Sequence, residues 1–392
     1  MRQHVAGGGG QQGGGGVGID ARGEGCGDCG VASNCVSVAP LETELGRKRQ
    51  IDQSACNKDY SCSNGFCPSF ITVLGGELKK PDKVSLDVSA EALPAPVIQA
   101  LNEGTYNLMV SGIGGTGVVT VGALLTMAAH LEGKACSVFD MTGLSQKNGS
   151  VYSHLRMAAT PDKLGAQRIG YGEADVALAF DAVSALSKEP AITLGKGRTR
   201  VVVNTRVTPT PAFARNPDLK LDASLLVHRL RHAVGDDALH TVDATGLALA
   251  LLGDSIGANL FMLGYASQLG LLPVTPEAII RAITINAVSV EFNQQAFTLG
   301  RLAVVDPERI ATAVADVPTL QTFTPLQSLD ALIAHRRQLL TGYQNAAWAD
   351  RYAARVARVR EVEARVQPGS DALSLAVARN LAKLMAYKDE YE

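Results

Sequence analysis

The chain has 392 residues, which is enough for about two or three domains. Its hydrophobic fraction of 46% is that of an ordinary globular protein with a sizeable core. A formal net charge of −2 and an aromatic content of 5% argue against nucleic-acid and anionic-membrane partners. The longest apolar runs, such as residues 247–252, are far too short to cross a bilayer of about 30 Å.

Cysteines are concentrated near the amino terminus. The first residues, MRQHVAGGGGQQGGGG, lack the apolar core of a secretion signal, and we therefore expect a cytoplasmic protein. In a reducing compartment, clustered cysteines are more often metal ligands than disulfides. The clustered cysteines are Cys26, Cys29, Cys35, Cys56, Cys62 and Cys67. The seventh, Cys136, lies in an apolar run typical of a strand, where a small buried residue is expected.

The cysteine segment reads GEGCGDCGVASNC and then CNKDYSCSNGFCP. Its composition, rich in Gly, Asp, Asn and Ser, predicts a loop-rich unit that needs a metal to fold. Closely spaced thiolates in such a loop are typical of an iron–sulfur cluster, and Cys67-Pro68 matches the end of bacterial ferredoxin motifs. A zinc site built on Cys26, Cys29 and two later cysteines is the alternative. The residues favour the cluster.

Strand and helix patterns alternate in the middle of the chain. A helix is predicted over 116–131. Strands are predicted at 106–112, 135–140, 150–157, 175–180 and 200–204, with another near 241–243. Strands joined by helices or crossovers predict an α/β, Rossmann-like fold with a mostly parallel sheet covered on both faces.

Helix formers dominate the chain after Pro325 and end in a predicted helix over 372–387. Their spacing predicts a solvated face marked by Arg351, Arg355, Arg358 and Arg365. The final residues, KDEYE, carry no helix-stop signal, so we expect a truncated helical region. The predicted domains are a disordered glycine-rich stretch (1–22), a cysteine-rich segment (23–76), a linker (77–103), a sheet domain (104–325) and a helical region (326–392).

The string GIGGTG places Gly112, Gly114 and Gly117 in a G-x-G-x-x-G pattern, with Gly115 inside it. Between a strand and a helix, these glycines allow a tight turn, close approach of a phosphate, and close packing of the helix. The helix start favours an anion. Asp140 closes the next predicted strand, near the position of a ribose-binding acid in an NAD domain. The pattern favours a phosphate-bearing ligand over a turn that binds nothing.

A polar turn follows the strand that contains Asp140. It consists of Gln146, Lys147, Asn148 and Gly149, and we expect it at the carboxyl edge of the sheet, where ligands of such folds bind. Ser153 and His154 come next, on a predicted strand. The spacing leaves a ligand-facing role and simple packing equally open for this histidine.

Longer strings resemble one family. DQSACNKDYSCSNGFCPSFITVLGG, YNLMVSGIGGTGVVTVGALLTMAAHLEG and MTGLSQKNGSVYSHLR are similar to indolepyruvate:ferredoxin oxidoreductases in their long fused bacterial form, which belong to the 2-oxoacid:ferredoxin oxidoreductases. LGDSIGANLFMLGYASQLG and NLAKLMAYKDEYE are similar to the same proteins. The resemblance extends from about Glu24 to Glu392, and its motifs are long and specific.

The resemblance implies oxidative decarboxylation of a 2-oxo acid on thiamine pyrophosphate, with release of an acyl-CoA. Electrons then pass through iron–sulfur clusters, of the 4Fe–4S type, to ferredoxin. It implies that the six clustered cysteines are cluster ligands. It also implies that the Gly112–Gly117 turn, with Gln146, Lys147 and Gly149, forms the cofactor-binding edge of a gamma domain that faces CoA and the thiamine site. It assigns no catalytic residue.

Two departures from the family pattern limit these expectations. Gly23 stands where the pattern C-x-G-C-G-D-C has its first cysteine, so one cluster lacks a ligand. The family's thiamine-binding region, with its G-D-G pattern for Mg²⁺ and pyrophosphate, does not precede the cysteine segment. We therefore expect a fragment that depends on a thiamine-bearing partner chain. The alternatives are a stand-alone NAD-dependent oxidoreductase and a non-enzymatic, zinc-stabilised binding module.

Overall fold

The computed structural model describes residues 5–6, 16–18, 38–43, 46–51, 71–73, 86, 93–101, 104–142, 149–208, 222–315, 326 and 328–387. The chain divides into two compact units. The sheet unit comprises Asp52–Asn57 and Lys79–Thr319. The helical unit comprises Met1–Ile51, Lys58–Leu78 and Leu320–Glu392.

The strands in the described part of the chain are β1 (Val5–Ala6), β2 (Gly16–Gly18), β3 (Val38–Thr43), β4 (Gly46–Ile51), β5 (Ile71–Val73), β6 (Tyr106–Ile113), β7 (Ala135–Met141), β8 (Ser150–Ala158), β9 (Val176–Ala179), β10 (Arg200–Asn204) and β11 (Leu239–Val242). The α-helices are α1 (Val118–Leu131), α2 (Ala182–Ala185), α3 (Lys188–Thr193), α4 (Ala223–Val234), α5 (Ala244–Leu252), α6 (Ala258–Gln268), α7 (Pro276–Asn286), α8 (Val290–Val305), α9 (Pro307–Ala315), α10 (Leu329–Tyr343), α11 (Ala346–Val366) and α12 (Ala372–Met385). None of these helices is long and apolar enough to cross a membrane.

The sheet unit is built on a six-stranded sheet with the order β11-β10-β9-β6-β8-β7. Strands β6, β9, β10 and β11 are parallel, and β8 is antiparallel to both β6 and β7. The predicted α/β, mostly parallel fold is therefore confirmed. The reversal of β8 follows from the short connection after Met141, because a parallel crossover needs about a dozen residues or more.

Both faces of this sheet are covered. Leu108 and Val110 of β6 point into one core, whereas Met109 between them points into the other, as expected for a period of two. Helices α1 and α5 to α9 contribute buried residues to the first core. Helices α2 and α4 contribute to the second. Burial on both sides explains why the strands read as continuous apolar runs.

Helices α6 and α8 cross with their backbones in close contact. A Cβ atom at Gly264 would overlap the carbonyl oxygen of Phe297, and one at Gly300 would overlap that of Phe261. Both phenylalanines are fully buried. Glycine is thus required at the two crossing positions.

The helical unit contains a three-stranded sheet, β1-β2-β5, and the hairpin β3-β4. Its helices α10, α11 and α12 share a core that includes Leu340, Tyr352 and Ala382. The indole Nε1 of Trp348 donates to the carbonyl of Met385 at 2.9 Å. The helical character predicted after Pro325 is therefore present in the described residues.

The carboxylate of Glu363 joins α11 to the start of α12. It accepts hydrogen bonds from the Ser374 hydroxyl at 2.5 Å, from the Leu373 and Ser374 N–H groups at 2.8 Å each, and from the Ser370 hydroxyl at 3.1 Å. The residue is buried, with 5% of its surface exposed. The Ser374 hydroxyl, aided by the backbone donors, lowers the pKa of Glu363 from 4.5 to about 2.

This carboxylate predicts an acid-sensitive step in the unfolding of the helical unit. Because the pKa of Glu363 is lower in the folded chain, its stabilising effect is complete above pH 4.5 and is lost as the pH falls towards about 2. We expect Glu363→Gln to lower the melting temperature at neutral pH and to weaken its dependence on pH in this window. Fluorescence of Trp348, the single tryptophan, reports the transition. Equal pH profiles for Glu363→Gln and the parent chain would contradict this assignment.

Candidate functional site

The glycine turn, Gly112–Gly117, lies between β6 and α1 and leaves no room for a side chain at its first position. A Cβ at Gly112 would be 2.6 Å from Cγ2 of Val118 and 3.2 Å from Cβ of Phe180. Gly115 and Gly117 have φ values of +86° and +91°, in the left-handed region that favours glycine. Because Gly112 has only a hydrogen atom in place of a side chain, β6, α1 and the residue after β9 can approach one another closely.

Three contacts hold the glycine turn in place. The N–H of Gly114 donates to the carbonyl of Gly149 at 2.9 Å. The Thr116 hydroxyl donates to the carbonyl of Ile113 at 2.7 Å, and Nδ2 of Asn259 donates to the carbonyl of Thr116 at 2.6 Å. Asn259 is buried at the start of α6. The packing of α6 against α8 therefore positions the side chain that holds the turn.

The start of α1 is suited to an anion. Gly117 is its N-cap and offers no side-chain acceptor, and the first turn carries no acidic side chain. The first N–H groups of a helix have no partner within the helix and carry partial positive charge. A Cβ at Gly115 would have no heavy atom within 4 Å, so the turn faces open space. The residues present fit a phosphate group.

The strand order places this turn at a change of direction in the sheet. From β6 the chain continues to β7 and β8 on one side, and β9 lies on the other. In open α/β sheets, ligands bind outside the carboxyl ends of the strands at such a switch point. The glycine turn, Gly149 and the residues after β9 and β10 all lie at this edge.

Asp181 follows β9 at the same edge and is almost completely buried. Its Oδ1 accepts the Ser184 N–H at 2.7 Å, whereas Oδ2 has no partner of hydrogen-bonding geometry. Burial raises the pKa of the Asp181 carboxyl, against the opposing effect of the Ser184, Thr208 and Val183 donors. This buried acid lines the edge and caps the short helix α2.

Asn204, the last residue of β10, connects the carboxyl ends of neighbouring strands. Its Nδ2 donates to the carbonyl of Phe180 at 3.2 Å and to the Thr245 hydroxyl at 2.8 Å. Sequence reasoning did not select Asp181, Asn204 or Asn259. Asn204 ends a predicted strand and Asp181 directly follows one, a position that signals a sheet-edge role, whereas no sequence signal points to Asn259.

The structure brings together part of the predicted cofactor-binding set. Its members at one edge are Gly112, Gly114, Gly115, Gly117 and Gly149. Gln146, Lys147 and Asn148 lie outside the described residues, as do all six clustered cysteines. Within the described ranges, no group of three or more His, Cys, Asp or Glu residues is arranged to hold a metal ion. The binding roles of these residues stay predictions.

Asp140 is not at the glycine turn. Strand β8 lies between β6 and β7, so Asp140 sits two strands away, at roughly 10 Å. Its carboxylate accepts a short hydrogen bond from the Ser153 hydroxyl on β8. The structure therefore does not place this acid where the ribose-binding acid of an NAD domain would be.

His154 packs inside the layers that cover the sheet. Its ring centroid is 5.9 Å from that of Phe139 and 5.7 Å from that of Tyr152, and its Nδ1 accepts the Ile169 N–H at 3.0 Å. Burial, helped by the charge of Arg168, lowers the pKa of His154. Of the two interpretations left open by the sequence, the geometry favours packing.

Cys136 is partly buried, whereas the sequence predicted a buried small residue at this position. Its thiol donates to the Thr126 hydroxyl at 3.7 Å, and burial raises the pKa of the thiol.

The model of the family "pyruvate ferredoxin/flavodoxin oxidoreductase" matches residues 107–303, which is half of the chain and includes the glycine turn. The chain belongs to this family. The family resemblance noted in the sequence is thereby confirmed. Residues 329–392 match a second family, DUF6537, which is described as being of unknown function.

Relatives of the family domain are similar over nearly their full length. The indolepyruvate oxidoreductase subunit IorB of Thermococcus kodakarensis is 30% identical over 200 residues, covering 50% of this chain and 94% of the relative. The subunit of the same name from Methanothermobacter thermautotrophicus is 26% identical over 197 residues, covering 50% and 95%. A crystal structure of a keto/oxoacid ferredoxin oxidoreductase gamma subunit from Geobacter sulfurreducens has 21% identity, 52% and 97% coverage, and a TM-score of 0.37.

The glycine turn gives a matched pair of substitutions. Gly115 and Gly133 lie before and after α1, both have positive φ, and neither has a heavy atom within 4 Å of a built Cβ. Each change to alanine should cost about 1–2 kcal/mol of backbone strain. If a phosphate-bearing ligand binds at this turn, only Gly115→Ala should weaken its binding, with coenzyme A as the probe, because the methyl group enters the space above the helix start. Isothermal titration calorimetry measures both affinities.

Equal affinities for the Gly115→Ala and Gly133→Ala chains would show that the phosphates bind elsewhere.

Proposed function

We propose that this chain supplies the gamma-type domain and the iron–sulfur segment of an indolepyruvate-type 2-oxoacid:ferredoxin oxidoreductase. The observation that carries the proposal is the family match over residues 107–303, with its glycine turn at the switch point of the sheet. The likeness to two archaeal indolepyruvate oxidoreductase subunits supports the choice of substrate class. Cytoplasmic location, expected from the sequence, stays a prediction.

In this proposal the carboxyl edge binds coenzyme A through its phosphates. The exposed N–H groups at the start of α1 receive the anionic charge, and the lack of a side chain at Gly115 gives the phosphate access to them. Gln146 and Lys147 come shortly before Gly149 in the sequence, and the carbonyl of Gly149 contacts the glycine turn. The proposal assigns to Lys147 a positive charge for the same phosphates.

Cleavage of the bond between the 2-oxo carbon and the carboxylate needs an electron sink, which thiamine pyrophosphate with Mg²⁺ supplies when bound. We assign that cofactor to a thiamine-binding region outside residues 107–303, carried by a partner chain. The acyl group passes to the sulfur of coenzyme A, and the reaction releases carbon dioxide, the thiol proton and two electrons. The electrons are accepted by ferredoxin. In this proposal the chain binds coenzyme A, which carries the acyl product, and its clusters conduct the electrons.

The six clustered cysteines are the proposed cluster ligands: Cys26, Cys29, Cys35, Cys56, Cys62 and Cys67. Their spacing in a glycine-rich segment suits 4Fe–4S clusters. Gly23 replaces one expected thiolate, so the proposal includes a cluster with an incomplete ligand set.

Metal content tests the cluster assignment. We expect the chain, purified without oxygen, to contain iron and acid-labile sulfide and to absorb broadly in the visible range. Cys56→Ser/Cys62→Ser should lose much of this iron, because each change removes a thiolate ligand. Cys136→Ser is the matched control and should keep it. Zinc without iron or sulfide would instead favour the zinc-stabilised binding module.

Turnover measurements test whether the thiamine-dependent step requires a partner chain. We expect the chain mixed with a thiamine-bearing indolepyruvate oxidoreductase partner to reduce ferredoxin only when indolepyruvate and coenzyme A are both present. These 392 residues alone should be inactive, because the proposal assigns the electron sink to the partner chain. Visible spectroscopy of ferredoxin follows the reaction. Thiamine-dependent turnover by the purified chain alone would refute the partner assignment, and nicotinamide reduction would favour the NAD-dependent alternative.

A further inference from the structure

One face of α11 carries a stripe of arginines. Arg351, Arg355, Arg358 and Arg365 follow at intervals of four, three and seven residues, and all are exposed. At 3.6 residues per turn these intervals place the four side chains within about 80° of one another, over roughly 21 Å of helix. The solvated face expected from the sequence is therefore a narrow, continuous cationic stripe.

The stripe lies outside the buried core of the helical unit. The buried residues of α11 are Ala349, Tyr352, Val356 and Glu363, which lie on the side that faces α10 and α12. Arginines at i and i+4 on an exposed helix repel each other and disfavour the helix. The charges of Arg351 and Arg355, which are four residues apart, therefore do not stabilise the helix.

Three aspartates in or near α11 form ion pairs with arginines outside the stripe. Arg337 contacts Asp350 at 2.6 Å, and Arg360 contacts Asp330 at 2.7 Å and Asp371 at 3.8 Å. Within the described part of the chain, no stripe arginine forms an ion pair with a carboxylate. Their contacts have other partners: the Arg351 guanidinium lies 4.7 Å from the Trp348 ring centroid, and Arg365 donates to the Glu361 carbonyl at 3.3 Å.

Exposed apolar side chains lie among these arginines. Val362 falls within the stripe and Val366 at its border, and they are 45% and 80% exposed. Positive charges around a small apolar centre are typical of a protein interface with an acidic partner. The chain as a whole has a net charge of −2, so the stripe is a local feature and not part of a basic protein.

We infer that this face of α11 is a docking surface for an acidic protein, and that this protein is the ferredoxin that accepts the electrons. The choice of ferredoxin rests on the proposed function. The charge and shape of the surface are observed independently of it. The exposed arginines around Val362 and Val366 complement the negative surface of an acidic electron carrier.

Charge reversal on the full chain tests the surface, with an oxidised, acidic ferredoxin as the probe. We expect the parent chain to bind it at low ionic strength and to release it as salt is added. Arg355→Glu/Arg358→Glu should weaken binding by roughly tenfold or more and reduce the salt dependence. Arg355→Lys/Arg358→Lys should retain most of the affinity. The matched control, Lys196→Glu/Arg229→Glu, reverses two exposed charges in the sheet unit and should bind like the parent chain.

Each other outcome overturns the inference. Equal weakening by both double reversals would mean that only the total charge matters. Failure of the parent chain to bind ferredoxin, while it holds iron and binds coenzyme A, would remove the docking surface but leave the proposed function intact. Tighter binding of duplex DNA or of anionic vesicles through Arg355 and Arg358 would assign the stripe to another class of partner. Unchanged Trp348 fluorescence confirms that the variants are folded.

Discussion

The missing side chain at Gly112 is the constraint on which the candidate site depends. Any Cβ there would press against Val118 and Phe180, so strand β6, helix α1 and the residue after β9 can meet only at glycine. This close approach brings the start of α1 to the carboxyl edge of the sheet. Asn259 fixes the turn from the other side, and its helix is held by the glycine crossing with α8. Packing deep in the sheet unit therefore sets the geometry of the candidate anion site.

The two units differ in the chemistry that their surfaces offer. The sheet unit presents backbone N–H groups at the end of a helix, which suit a small anionic ligand and give it a defined position. The helical unit presents long, mobile arginine side chains around exposed valines, which suit a broad partner surface and rapid exchange. The proposed function, transfer of an acyl group with delivery of electrons, uses both kinds of contact. This division agrees with membership of the pyruvate ferredoxin/flavodoxin oxidoreductase family.

Sequence patterns located most strands of the sheet to within a residue or two, because strands buried on both faces are apolar throughout and are bounded by glycine or polar residues. They did not reveal that β8 runs between β6 and β7. Reading Asp140 as a neighbour of the glycine turn assumed that consecutive strands are adjacent, and the reversed strand removes that adjacency. His154 was ambiguous for a related reason: a strand residue faces a core or a ligand depending on what covers the sheet.

The amino-acid sequence by itself determined the α/β class, the glycine turn and the family, because these depend on local periodicity and on contiguous motifs. It also predicted that the arginines of α11 lie on one face, because residues three, four and seven positions apart fall on the same side of a helix. Only the tertiary structure decided the strand order, the burial of Asp181 and Asn204, and the contact from Asn259 to Thr116. Those features join residues up to 143 positions apart. Contacts of that range depend on how helices and strands pack, which no local pattern records.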